Sequence, residues 1–490
     1  MALRFDMSEK ACTFAASHVK TMKKLLTILA LMMLTIGAGA QQRAIILTDM
    51  ENEPDDNQSL VRLMLYTNEI DVRGIIATNS THMRDRIAPE TIFEVIDAYE
   101  KVRPNLLLHA ADYPTADYLR SIVKCGSTEY GMKGVGKGQD SEGSQWIIQE
   151  LERSDRRPLW ICAWGGVNVL AQALFQMKST KTEKELELLL GKLRVYTISD
   201  QDDAGIWIRR TFPTLFYIVS PGGYGNGTWT GIMQTTAGAD NECISNAWLA
   251  ANIQQGHGPL GACYPDVAYG MEGDTPSWLN LIPNGLNAPE HPNWGGWGGR
   301  YELYKPRRED CDPNGFTGGV PIEEEPREIW TNATDHFTPF LPKSHGCAVQ
   351  KDTATYSGFT TTVWRWRTAM QNDFAARMDW CVKSPAEANH APIPLLTHDS
   401  ELNVKSGEVF VLDASRSFDP DGDNLSFLWF CYPEAGSGRY VEPMGAPNIH
   451  RVAVRAPKVS KPEDIHFILQ LTDKGTPSLT RYWRIIVHIK

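Results

Sequence analysis

Arg43-Ala44-Ile45-Ile46-Leu47-Thr48 runs directly into Asp49-Met50-Glu51-Asn52-Glu53-Pro54-Asp55-Asp56, and from there into a segment with Leu60, Val61, Met64 and Leu65 on one helical face. The unbroken aliphatic run predicts a strand buried on both faces, as in a parallel sheet, and the 60–65 spacing predicts an amphipathic helix. Five acidic side chains within eight residues therefore sit at the carboxyl end of a strand, the edge where open α/β sheets take their ligands. Carboxylates packed this densely repel one another unless a cation or a substrate compensates them.

The same alternation continues outward. Apolar runs at 72–78, 105–109, 159–163, 193–198 and 215–219 read as strands, and helices are expected at about 89–103, 144–153, 167–177 and 203–211. This βαβα order predicts an α/β fold with a doubly wound, mostly parallel sheet. From 221 to 342 the pattern gives way to Gly, Pro, Trp and Asn, a composition that in compact domains covers or builds a binding site. A helix resumes over 360–382, residues 386–394 read as a linker, and 395–490 carries short alternating strands. Ile465, Phe467, Leu469 and Leu471 share one face, as do Trp483, Ile485, Val487 and Ile489, which predicts an all-β immunoglobulin-like sandwich after a first domain spanning 41–385. Asp419-Pro420-Asp421-Gly422-Asp423 departs from the EF-hand pattern and reads as a turn.

With 42% hydrophobic and 22% charged residues the chain is globular material, and a net charge of −11 argues against nucleic-acid and anionic-membrane partners. Residues 22–40 have a basic start, an apolar stretch and an Ala38-Gly39-Ala40 end, the pattern of a cleaved secretory signal. Met22 then reads as the natural start and 1–21 as an upstream extension, with Gln41 first in an exported chain, periplasmic or secreted. No other run has the length of a membrane span. Export permits disulfides, and Cys243/Cys263 and Cys311/Cys347 are the candidate pairs.

Strand ends of the first domain should bring together Asp49, Asp55 and Asp56, then Asn79, then Gly165-Gly166-Val167-Asn168, then Asp200, Asp202 and Asp203. An all-oxygen set of this kind suits a hard cation, with Ca²⁺ ahead of Mg²⁺. Against this stands simple capping of the following helix by Asp55 and Asp56, which leaves Asp49 and the other strand ends without a role. Trp294 and Trp297, set among glycines, are placed to stack on a sugar or base, with Arg300 adding a hydrogen-bonding fork; core packing is the competing reading.

Asp49 followed by Asp55-Asp56, then 72–79, then Trp164-Gly165-Gly166-Val167-Asn168 resembles the calcium-dependent nucleoside hydrolases in order and spacing. Gly273-Asp274-Thr275-Pro276, the 294–301 block and the 419–423 module resemble, more closely still, secreted cellulose-binding proteins that carry a nucleoside-hydrolase-like domain. The resemblance implies that Asp49, Asp56, Asp274 and the Val167 carbonyl hold Ca²⁺, that Asp55, Asn79 and Asn168 bind the sugar, and that Asp49 is the base toward water. The loop is two residues longer than the hydrolase signature, so Glu51 or Glu53 could stand in for Asp55. Hydrolases of this kind often place His before the last Asp, where this chain has Gly273. Glu272 is then the candidate acid, with His82, His291 and His336 as rivals.

Two functions follow as expectations: a Ca²⁺-dependent hydrolase of N-glycosidic or related glycosyl bonds acting on a saccharide or glycoside, and a non-catalytic protein that binds plant polysaccharide such as cellulose. A third leaves the sandwich as a mere spacer.

Overall fold

The structure, a computed structural model, describes residues 41–222, 225, 227–311, 320, 322–342 and 349–490. The leader expected at 22–40, the segment before it and Cys347 lie outside these residues. Strands β1 (Gln42–Thr48), β2 (Ile70–Ala77), β3 (Val123–Cys125), β4 (Leu159–Ala163), β5 (Leu193–Thr197), β6 (Phe216–Val219), β7 (Tyr301–Tyr304) and β8 (Ile329–Asn332) form one sheet in the order β3-β2-β1-β4-β5-β6-β8-β7. Pairing is parallel except for β7, which runs antiparallel to β8 along the edge. β1 is buried on both faces as its composition requires: Ala44 and Ile46 enter one core, Ile45 and Leu47 the other. Strand order reverses between β1 and β4, so their carboxyl ends open a crevice at the switch point.

Two elements differ from expectation. The apolar run at 105–109 is the end of helix Pro89–His109, which continues through Pro104; Leu106 is buried while Leu107 and Leu108 are 40% and 60% exposed. The strand beside β2 is instead Val123–Cys125, too short to leave a periodic pattern. Helix Glu183–Lys192 was not anticipated because it buries no residue; a reciprocal cap between Thr182 and Glu185 starts it.

The C-terminal sandwich has a four-stranded sheet, ordered Glu401–Val404, Thr480–Ile489, Glu463–Thr472 and Ser426–Cys431, facing a three-stranded one of Val409–Asp413, Arg451–Arg455 and Pro443–Met444. Ile465, Phe467, Leu469, Leu471, Ile485, Val487 and Ile489 fill the space between the sheets. The opposite face of the four-stranded sheet is buried as well: Ile468 and Tyr482 join the core of the α/β domain. Backbone N–H groups of Tyr482 and Arg484 donate to the carbonyls of Asn284 and Gly285 at 2.9 and 3.1 Å, and Arg481 pairs with Asp373 at 2.7 Å. The linker is fastened too, with Trp380 Nε1 donating to the Asn389 carbonyl and Asn389 Nδ2 to Asp473. Cys243 and Cys263 are not bridged. Among the described residues no helix is long and apolar enough to cross a membrane.

Candidate functional site

Helix Pro54–Met64 begins with Pro54 at its first position and Glu53 as N-cap, and no side chain caps it there. Asp56 instead accepts a hydrogen bond from Thr48 Oγ1 at the end of β1, while Asp55 accepts from N–H groups of the helix's own first turn. Capping thus accounts for part of Asp55 and for none of Asp49 or Asp56. Asp274 arrives from the turn before helix Pro276–Leu279, and carboxylate oxygens of Asp55, Asp56 and Asp274 lie within 4.8 Å of one another. Asp49 lines the same cavity, held by the side chains of Ser80 and Asn52. Oδ2 of Asp49 and Oδ2 of Asp274 are buried without a hydrogen-bond partner among the described residues.

The cavity encloses about 470 Å³. Its acidic wall is Asp49, Glu53, Asp55, Asp56 and Asp274, its apolar wall includes Trp164, Trp229 and Met233, and Tyr269 stands at the rim, 79% exposed. No lysine or arginine is among the described lining residues. Burial, followed by mutual repulsion, pushes the carboxyls upward: Asp55 to about 7 through burial, Glu53 and Asp49, and Asp56 and Asp274 well above the usual carboxylate range. Asp49 and Glu53 are also raised, chiefly by burial. Oxygen-only donors, two orphaned buried oxygens and the lack of a balancing side-chain cation fit a hard divalent cation.

Two glycines shape the cradle. A Cβ on Gly165, just after β4, would lie 2.5 Å from Asp49 Oδ1. A Cβ on Gly273 would lie 2.9 Å from both Asp55 Oδ2 and the Trp229 ring, so the position before Asp274 holds no side chain for steric reasons.

Other expectations are corrected by burial and partners. Glu272 is fully buried, ion-paired with Arg62 at 2.7 Å, bonded to Tyr264 and Thr275, and absent from the cavity lining; it braces the Asp274 turn. The Val167 carbonyl accepts the first hydrogen bond of helix Asn168–Thr180, from Ala171 at 2.9 Å, and Val167 is not among the described lining residues. Asn79 and Asn168 bond each other at 3.2 Å, and neither lines the cavity. Asp200 pairs with Arg209, Asp202 accepts from the N–H groups of Asn168 and Ala204, and Asp203 accepts from Met132. Trp297 is fully buried, Trp294 is stacked on His291 at 4.0 Å with the edge of His466 against it, and Arg300 is locked to Asp335 at 2.6 Å. These three pack where the sandwich meets the α/β domain, and none of them lines the acidic cavity. Glu51 points away to Arg86 and Thr91, whereas Glu53 faces the cavity. Of the described histidines, only His82 lines the site, at its rim. Gln201, Trp229, Met233 and Tyr269 escaped the sequence reading, since they come from irregular segments without period or motif.

Comparison with known proteins agrees with this architecture. Residues 43–301 match the family model of the cellulose-binding Sde182 nucleoside hydrolase-like domain, and 409–489 match that of the cellulose-binding protein Sde0182 C-terminal domain. No curated protein matches the chain. Among solved structures, a nucleoside hydrolase-related protein from Saccharophagus degradans, associated with carbohydrate metabolism, is 34% identical and aligns over 92% of this chain and 100% of its own, with a TM-score of 0.75. The effector proteins XOO4466 and XopQ align at TM-scores of 0.32 and 0.27, with 9% and 10% identity, over 60% and 51% of this chain and 88% and 69% of theirs, too loosely to carry an argument. With a nucleoside-hydrolase-like first domain and the matching C-terminal domain both present, the chain belongs to the Sde182 family of cellulose-binding proteins.

Proposed function

We propose that the acidic cavity binds a divalent cation, calcium in preference to magnesium, together with the hydroxyls of a saccharide or glycoside, and that water is added there across a glycosyl bond. The observation that supports this is the triad Asp55, Asp56 and Asp274, whose oxygens converge within 4.8 Å with no Lys or Arg among the described lining residues. When bound, the cation would supply Lewis acidity, fixing sugar hydroxyls and lowering the pKa of a water. Asp49, with one oxygen unpaired, orients that water and accepts its proton. Trp164, Trp229 and Met233 pack against the apolar faces of the sugar and exclude bulk water. The acidic wall favours the positive charge that develops on the sugar ring in the transition state. Glu53 takes over the donor role expected of Glu272, because it alone of the two borders the cavity.

The test uses calorimetry with Ca²⁺ alongside release assays on nucleosides and plant oligosaccharides. Asp49→Ala, Asp56→Ala and Asp274→Ala should each lose both cation binding and turnover. Full turnover by Asp49→Ala would sink the hydrolase reading.

A second reading, binding of polysaccharide without turnover, has its own observation: Gly273 leaves no room for an acid before Asp274. It predicts retention on cellulose that Asp49→Ala leaves unchanged and no sugar release from any substrate. On either reading the leader-like residues 22–40 support export to the periplasm or beyond, and N-terminal sequencing of the exported chain should begin at Gln41.

A further inference from the structure

A second cavity, about 390 Å³, lies where His336 to Phe340 and Lys351 of the first domain meet Ser426–Cys431, the edge strand of the four-stranded sandwich sheet. This volume falls within the roughly 300–1,000 Å³ of small-molecule sites. Five aromatic rings, Phe337, Phe340, Trp366, Phe430 and Tyr440, contribute to its walls, and Tyr440 is 43% exposed. Rings from both domains line it, so neither domain forms it alone.

The two cations described in the cleft, Lys351 and Arg365, are already paired. Lys351 Nζ pairs with Glu442 at 2.9 Å and lies 3.7 Å over the Tyr440 ring. Arg365 pairs with Asp335 at 2.9 Å, and its guanidinium is held 4.6 Å from the rings of Phe337, Trp366 and Tyr432. An anionic ligand would find no unpaired Lys or Arg among the described lining residues, and a cationic one would meet Lys351 and Arg365. What remains is aromatic surface, an amide and one carboxylate. The Gln470 side chain makes no hydrogen bond among the described residues, and Glu434 receives the His336 N–H on Oε1 while its Oε2 has no partner. Flat apolar faces beside amide and carboxylate groups suit a ligand with hydrophobic CH faces and equatorial hydroxyls.

We propose that this interdomain cleft is a second saccharide site, separate from the acidic cavity, which takes a segment of an uncharged glucan chain. The choice of a β-linked glucan as probe rests on the polysaccharide-binding reading above, whereas the location rests on the cleft itself. The experiment uses the full chain, since the sandwich shares a core with the α/β domain. Binding of cellohexaose, and of polygalacturonate as a charged comparison, is measured by calorimetry for the parent, Tyr440→Ala, Gln470→Ala and Asp56→Ala. Tyr440→Ala and Gln470→Ala should each weaken cellohexaose binding about tenfold, the scale of one lost stacking or hydrogen-bonding contact, with unchanged circular dichroism. Asp56→Ala should bind as the parent does. Parent-like binding by the two cleft variants, loss of binding in Asp56→Ala, tighter binding of polygalacturonate, or no cellohexaose binding by the parent would each overturn the proposal. Small-glycoside release, read in parallel, should be untouched in Tyr440→Ala, so failure of the cleft is distinguishable from failure of the acidic site.

Discussion

Asp55 carries the sharpest electrostatic consequence of the fold. Burial, Glu53 and Asp49 raise its carboxyl from 3.8 to about 7. A raised acid pKa means that the folded state holds its proton more tightly than the unfolded one, so its stabilisation is complete below about pH 3.8 and is lost as pH rises through about 7. In chelator, the melting temperature should therefore fall between about pH 5 and pH 8. Asp55→Asn should flatten that fall, and added Ca²⁺ should reverse it at the alkaline end by compensating the same charges. A flat profile in chelator would contradict the repulsive site. Gly165 gives the steric counterpart: a methyl 2.5 Å from Asp49 Oδ1 must displace it, so Gly165→Ala should cost about 1–3 kcal/mol in urea unfolding and remove turnover. Single residues were legible where the signal was local. Asp49, Asp55 and Asp56 announce themselves by density along one loop, whereas the roles of Glu272, Trp297 and Arg300 depend on Arg62, the sandwich and Asp335, partners that spacing along the chain cannot reveal.

At the scale of elements, alternation of strands and helices was readable because β1 and its neighbours are buried on both faces and so are continuously apolar. It failed at 105–109, where Leu106-Leu107-Leu108 has the composition of a short strand but extends a helix that packs through Leu106 alone, and at β3, whose three residues are below the length at which a period exists. The helix Pro54–Met64 and the turn at 272–275 are joined by Arg62 and Glu272, both fully buried. Removing one partner leaves the other charge without compensation, so Glu272→Gln should cost about 3–5 kcal/mol in urea unfolding. A general acid would behave oppositely, with turnover lost and stability retained, and the pair of measurements separates the two roles.

Over the whole molecule, the sandwich is bound to the α/β domain by a sheet face that the alternation of its strands marks as solvent-facing. Ile468 and Tyr482 sit in the larger core, and Asp373, on helix Arg367–Asp379, is shared between Arg377 of its own helix, Tyr66 and Arg481 of the sandwich. Sequence reading separates a first domain from a sandwich by a linker at 386–394 but cannot show that their junction is core rather than hinge, because Tyr482 and Arg484 alternate with the apolar residues of their strand as solvent-facing positions do. Burial alone would raise the Asp373 carboxyl, yet Arg481 and Arg377 outweigh it and hold the group well below its usual 3.8. A depressed acid pKa stabilises the fold above about pH 3.8 and that contribution is lost as pH falls further. Calorimetry near neutral pH, with Ca²⁺ present, should show both modules melting in one transition, since unfolding either exposes the core of the other. Acidification below about pH 4 should split that transition and open residues 386–394 to proteolysis, and Asp373→Asn should bring the same splitting to neutral pH. Two independent transitions in the parent at neutral pH would show that the shared core does not couple the modules.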